Sequence, residues 1–329
     1  MTKNRRTARL RDVTLRDGLQ LTGGLLPTET KLGVFRTLID IGVPYVEVGS
    51  MARPDLVPSM GNTLTVVEQL TPAERDVAWV WTATPRNVKR AIEAGVTRME
   101  YCLSVSSAHN QANVGRTTAA SMQALPEALD LAEAAGAQLQ FTLATSFTCP
   151  FEGKVDPGAT LELVADGRVD RCSEVVICDT LGQADPDEVH HLVGEVARLR
   201  PDHPIVFHGH DTWGLGVANS LAAIDAGASV VDASLGGLGG CPFAAGASGN
   251  TSTEDLLFAL KPDWLTPERF AVLVGLGQQI TSTLGERNTS RAAQGSHSRS
   301  KAFTWVIDDE PVGVDASASP CDSGSPGFR

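Results

Sequence analysis

The chain has 329 residues, a formal net charge of −12 and a hydrophobic content of 42%. That length accommodates one large barrel or two ordinary domains, and the acidic balance argues against nucleic acid as a partner, because like charges repel. No apolar run approaches the roughly 20 residues of a membrane helix. The basic start MTKNRRTARLRD has no apolar core behind it, and the six cysteines form no CxxC pair, so a reduced, cytoplasmic protein without a membrane partner is expected.

Along the chain one unit recurs: an amphipathic stretch closes on Gly, and an apolar run follows that often ends in an acid. It appears as Ile41-Gly42 into VPYVEV, Ala94-Gly95 into VTRMEYCL, Ala135-Gly136 into AQLQFTL and Ala226-Gly227 into ASVVDAS. Gly just past a helix accepts the left-handed conformation that closes the last turn. Runs rich in Val, Ile and Leu without clean alternation suit parallel strands buried on both faces. Strands are expected at 9–15, 43–48, 77–82, 97–103, 138–144, 173–179, 204–208 and 228–234. Helices are expected at 29–41, 85–94, 119–135, 185–199 and 214–226, with a further one at 266–284 outside the barrel. Eight strands with helices in most of the gaps, and a repeat of about 40 residues, predict an α/β protein, a TIM (β/α)8 barrel with additional C-terminal helices, spanning 1–307. The segment 308–329 is small, polar and rich in Pro and Gly, and disorder is expected there. A doubly wound open sheet is the alternative, but no GxGxxG follows the first strand.

In a TIM barrel the chemistry sits where strands end, and the unusual residues gather there. Strand one runs into Arg16 and Asp17, strand two into Glu47, strand six into Asp179, and strand seven into His208-Gly209-His210-Asp211. Two residues apart on a strand, His208 and His210 point the same way, so both rings can reach one ion. A lone HxH is weak evidence, since two packed or solvated rings would read the same. Asp17 adds a hard carboxylate and Asn250 an amide oxygen, and a mixed N/O set without thiolate suits six-coordinate Mg2+ or Mn2+. Cys241, in the Gly-rich stretch LGGLGGCPFAAGASGN, is read as a functional thiol rather than a core one. Arg16 beside Asp17 reads either as a simple ion pair or as a fixed cation that stabilises developing negative charge. Glu47 and Asp179 have a second reading as caps or as partners orienting the histidines. His109 is read as a loop residue with no assigned role.

These residues carry a family likeness. Leu15-Arg16-Asp17-Gly18 together with His208-Gly209-His210-Asp211 resembles the DRE-TIM metallolyase superfamily. HGHDTWGLGVANSLAAIDAGASVVDASLGGLGGCPFAAGASGN, with RDGLQ, VPSMGN and CPFEGK, resembles the 3-hydroxy-3-methylglutaryl-CoA lyases from about residue 9 to about 300. The resemblance implies that Asp17, His208, His210 and Asn250 hold a divalent cation, that Arg16 steadies an enolate, and that Cys241 protonates it. It further implies that Glu47, Asp179 and Gln20 line the site, that Asn113 lies near the CoA arm, and that the protein is a homodimer acting on an acyl-CoA. His208 is our candidate for the general base. The condensing isopropylmalate and homocitrate synthases share barrel and metal site but carry a different loop where Cys241 stands, which leaves Claisen condensation as the alternative activity. Several peripheral positions depart from the lyase pattern, among them Leu21 to Gly24, Met51, Asn110 to Ala112, Gly115 and Trp213. Citramalyl-CoA, a longer 3-hydroxy-3-alkylglutaryl-CoA or an unrelated 3-hydroxy acid therefore stays open as substrate.

Overall fold

The structure, a computed structural model, describes residues 7–22, 25–240, 249–298 and 304–307. Eight parallel strands close into a barrel: β1 (Arg9–Asp12), β2 (Tyr45–Ser50), β3 (Ala78–Thr82), β4 (Arg98–Ser104), β5 (Gln138–Ala144), β6 (Val175–Asp179), β7 (Ile205–Gly209) and β8 (Val230–Ala233). Each strand pairs with its neighbours in sequence, and β1 closes the ring on β8 with Arg11 opposite Asp232. The expected barrel is thus present, with strand bounds displaced by a few residues and β5 as expected.

The helices return the chain along the outside and bury one face each. Thr28–Ile41 sinks Leu32, Phe35 and Leu38, then stops at Gly42, whose φ of 112° suits a residue without a side chain. A Cβ at Gly42 would also meet the Trp264 ring at 2.9 Å. Pro186–Leu199 starts from a capping box in which Asp185 and Glu188 satisfy one another's backbone N–H groups. Pro267–Leu284 is the expected outer helix. Among the described residues no helix is long and apolar enough to cross a membrane.

Three departures from expectation bear on the site. The first strand ends at Asp12 rather than 15, because Thr14–Gly18 winds into a π-helical turn that rotates Arg16 and Asp17 into the barrel mouth. His109 is not on a loop: Ser107–Val114 is a helix, capped by Ser106, and it carries both His109 and Asn113. An antiparallel pair of two-residue strands, Thr148–Cys149 and Gly153–Lys154, follows β5. The expectations for Cys241 and for the segment 308–329 lie outside the described residues.

Candidate active site

A cavity of about 1030 Å³ opens at the C-terminal mouth of the barrel and descends into it. Asp17, His208 and His210 converge on its wall, each offering a ligand atom within 4.8 Å of the others. All three are buried, at 4%, 6% and 3% exposure. The strand geometry explains the convergence: His208 lies on β7, and His210 follows two residues later on the same face. Asp17 arrives from the turn after β1, two strands away around the ring.

Asn250 joins them through a short antiparallel bridge to His210. Its amide nitrogen donates to Asp17 Oδ1 at 2.8 Å and to the Leu238 carbonyl at 3.0 Å. Its own Oδ1 is buried and has no hydrogen-bond partner. A buried amide oxygen without a donor is costly unless something electropositive meets it. Gly239 keeps the space open: a Cβ there would lie 2.5 Å from the Asn250 nitrogen and 3.0 Å from Asp17 Oδ1. Within the barrel two guanidiniums, Arg11 and Arg16, face the acidic side chains of Asp17, Glu47, Glu100 and Asp232, and burial lifts the Glu47 carboxyl well above its ordinary range. The donor set and the orphaned oxygen fit a divalent cation held by hard oxygen and imidazole ligands.

The surroundings hold the candidate ligands in place. His208 Nδ1 is 3.1 Å from Asp232 Oδ2, and Asp232 is gripped by Arg11 through two bonds of 2.9 and 2.7 Å. Arg11 in turn stands 3.1 Å from Glu100. Burial alone would raise the Asp232 carboxyl, but Arg11 and His208 bring it below its ordinary value. Asp17 behaves likewise: burial opposes ionisation, and Arg16, His210 and His208 hold the carboxyl down to about 2. Arg16 is clamped between Asp17 and Glu47, the latter at 2.5 Å.

Most expected site residues come together here. Arg16, Asp17, His208, His210, Gln20 and Asn113 line the cavity, Asn113 at its exposed outer edge and Gln20 half-buried. Glu47 and Asp179 stand behind the wall instead. Glu47 reaches the site through Arg16, and Asp179 accepts the backbone N–H groups of Gln183 and Ala184 at 3.1 Å, which shapes the loop after β6. Burial pushes the Asp179 carboxyl up to about 6. Cys149, after β5, is buried with its thiol on Ser106 Oγ at 3.0 Å. Cys241 lies outside the described residues, while its neighbour Gly240 lines the cavity.

Sequence reasoning passed over Arg11, Glu100 and Asp232. The signal was present for two of them, since the runs VTRMEYCL and ASVVDAS each set an acid in an apolar strand. His109 was also missed: it lines the cavity, is 3% exposed, and has Nδ1 2.7 Å from Ser104 Oγ. Burial lowers its imidazole to about 4, so the ring is neutral near pH 7.

A (β/α)8 barrel with a buried carboxylate, two imidazoles and an amide at its C-terminal mouth defines a TIM-barrel enzyme with a candidate metal centre. The comparisons give the lineage. Residues 7–269 match the HMGL-like family model. The bovine mitochondrial hydroxymethylglutaryl-CoA lyase is 32% identical over 284 residues, 86% of this chain and 87% of that one. The hydroxymethylglutaryl-CoA lyase of Pseudomonas mevalonii is 32% identical over 291 residues, 88% of this chain and 96% of that protein. Among solved structures, an HMG-CoA lyase from Acinetobacter baumannii in complex with coenzyme A and 3-methylmalate superposes with a TM-score of 0.81 at 32% identity. The match covers 89% of this chain and 96% of that one. The chain belongs to the HMGL-like family, and its activity is that of a carbon–carbon lyase.

Proposed function

We propose that this protein cleaves a 3-hydroxy-3-alkylglutaryl-CoA by a retro-Claisen reaction that depends on Mg2+ or Mn2+. The observation that carries the reading is the division of the cavity by charge. Deep inside it stand Asp17, His208 and His210, whereas its outer part is lined by Arg53, Arg86, Arg90 and Arg116. Four guanidiniums around one mouth, in a chain of net charge −12, suit the phosphates of a CoA arm entering with its acyl end inward.

Asp17, His208, His210 and Asn250 are the residues that would hold the ion. When bound, a divalent cation would lower the pKa of the substrate's tertiary hydroxyl. The reaction then balances simply. The hydroxyl proton leaves to a base, C3–O becomes a carbonyl, and the C2–C3 bond breaks. Its electron pair passes to the thioester fragment as an enolate, which takes up a proton to give acetyl-CoA beside a 3-oxo acid. Arg16 sets a guanidinium where that enolate charge develops, pre-oriented by Glu47. We assign proton delivery to Cys241, and the grip on the thioester arm to Gln20 and Asn113. His208 has Nδ1 engaged by Asp232, so its remaining nitrogen serves as ligand or as base, but not both at one instant.

Mass spectrometry of products from a panel of 3-hydroxyacyl-CoA thioesters, with Mg2+ or Mn2+ supplied, tests the reading. An acetyl-CoA peak with a matching 3-oxo acid is expected. Cleavage of none, or incorporation of acetyl-CoA into a 2-oxo acid, would replace lysis by another reaction.

A further inference from the structure

The cavity does not stop at the ligands. On three successive strands two inward positions both line it: Glu100 and Cys102 on β4, Thr142 and Ala144 on β5, Val176 and Cys178 on β6. Inward residues two apart on a strand are separated by about 6–7 Å, and with strands tilted by about 36° the space continues by about 5 Å along the barrel axis. The barrel register sets Cys102 beside Thr142, and Thr142 beside Val176, forming a continuous wall of small side chains. Cys178 is the register partner of His208, which joins this wall to the ligand cluster. TIM-barrel interiors are ordinarily filled by layers of bulky branched side chains. Here one side of the interior is left hollow. The floor of the hollow is the buried Arg11–Glu100 ion pair.

We infer that this chamber receives the substituent on C3 of the substrate, and that the substituent is an unbranched alkyl chain longer than methyl. The inference rests on the lyase reading above and narrows it to a substrate class. A methyl group at C3 would leave the lower wall untouched. With an extended alkyl chain advancing about 1.3 Å per carbon, the depth takes roughly three or four carbons before the charged floor is met. Cys102, Thr142 and Val176 present methyl, methylene and thiol surface, which suits an alkyl branch. Cys102 is held as the neutral thiol, since burial pushes it up to about 12. A carboxylate-tipped branch is disfavoured, because Arg11 already faces both Asp232 and Glu100.

The test compares 3-hydroxy-3-methylglutaryl-CoA with its 3-butyl analogue on the Mn2+-loaded protein. Burying a methylene is worth about fourfold, so kcat/KM for the butyl thioester is expected to exceed that for the methyl one by at least about tenfold. Cys102→Phe, which fills the chamber without touching the ligands, should reverse the preference. Thr142→Leu provides an independent filling variant should Cys102→Phe fold poorly. A wild type that prefers the methyl thioester, or filling variants that depress both thioesters equally, would overturn the chamber. If neither thioester is cleaved, the lyase reading is at fault and calorimetry with the 3-oxo acids decides the chamber by itself. Tighter binding of 3-oxoheptanoate than of acetoacetate, lost in Cys102→Phe, supports it, and equal binding overturns it.

Discussion

His208 and Asp232 are joined at 3.1 Å across neighbouring strands, and Arg11 grips the far side of the same carboxylate. The bond fixes which nitrogen of His208 is available to the site. Asp232→Asn keeps the shape and removes the charge that orients the ring. Loss of such an outer partner typically weakens metal binding about 10–100-fold, and Mn2+ titration followed by electron paramagnetic resonance should read a change of that size. Unchanged affinity would mean that the ring is oriented by packing alone.

Removal of the ion is a separate matter. Asp17→Ala and His210→Ala should abolish both turnover and its response to added Mg2+ or Mn2+, since each deletes a member of the buried ligand group. Dialysis against chelator should silence the wild type reversibly. Full turnover in excess chelator would sink metal dependence, and elemental analysis of the purified protein reveals any zinc held for structure.

The pH dependence of stability should show Glu254. It is fully buried, accepts the Gly236 N–H at 3.0 and 2.9 Å, and burial raises its carboxyl to about 7 from an ordinary 4.5. Between those values the folded protein holds a proton that the unfolded chain has released. Raising the pH therefore favours unfolding across that window, and the stability carried by the protonated form is gone above about 7. Glu254→Gln keeps an acceptor without the charge. Its melting temperature relative to wild type should climb from pH 5 to pH 8, and a flat difference would refute the assignment.

Much of this was legible in the sequence because barrel strands and helices each repeat a local signal. The run AQLQFTL lies just past Gly136, and β5 occupies the expected residues. Asp17, His208 and His210 were legible because strand ends are where a TIM barrel keeps its chemistry. Helix Ser107–Val114 was not, since SAHNQANV is short and polar and owes its start to the Ser106 cap. The Arg11–Glu100 pair was beyond reach for another reason: the two residues are 89 positions apart and meet only across the closed barrel. Nor could any local pattern reveal a hollow, which is a property of which side chains face one another.

Cys241 supplies the last prediction. If it protonates the enolate, Cys241→Ser should melt like wild type and bind Mn2+ like wild type, yet turn over about 10²–10⁴-fold more slowly, the usual worth of a general acid. A serine hydroxyl is a far weaker acid than a thiol of pKa about 8.5. Rate and melting temperature measured on one preparation separate this from a packing role, which would lower the melting temperature and spare turnover. Alkylation of Cys241 should inactivate in proportion to modification, with bound substrate protecting.

The proposed ligand group gathers Asp17 from the first barrel strand's end, His208 and His210 from the seventh, and Asn250 from beyond the eighth. During synthesis a ribosome would release the first of these donors more than two hundred residues before the last. A nascent chain can therefore offer one carboxylate, never the full cage, until almost the whole barrel has left the exit tunnel. Ion capture at the proposed centre would then be a late event in the life of the polypeptide, and a chain stalled before Asn250 would reach its cellular quality control with that centre incomplete.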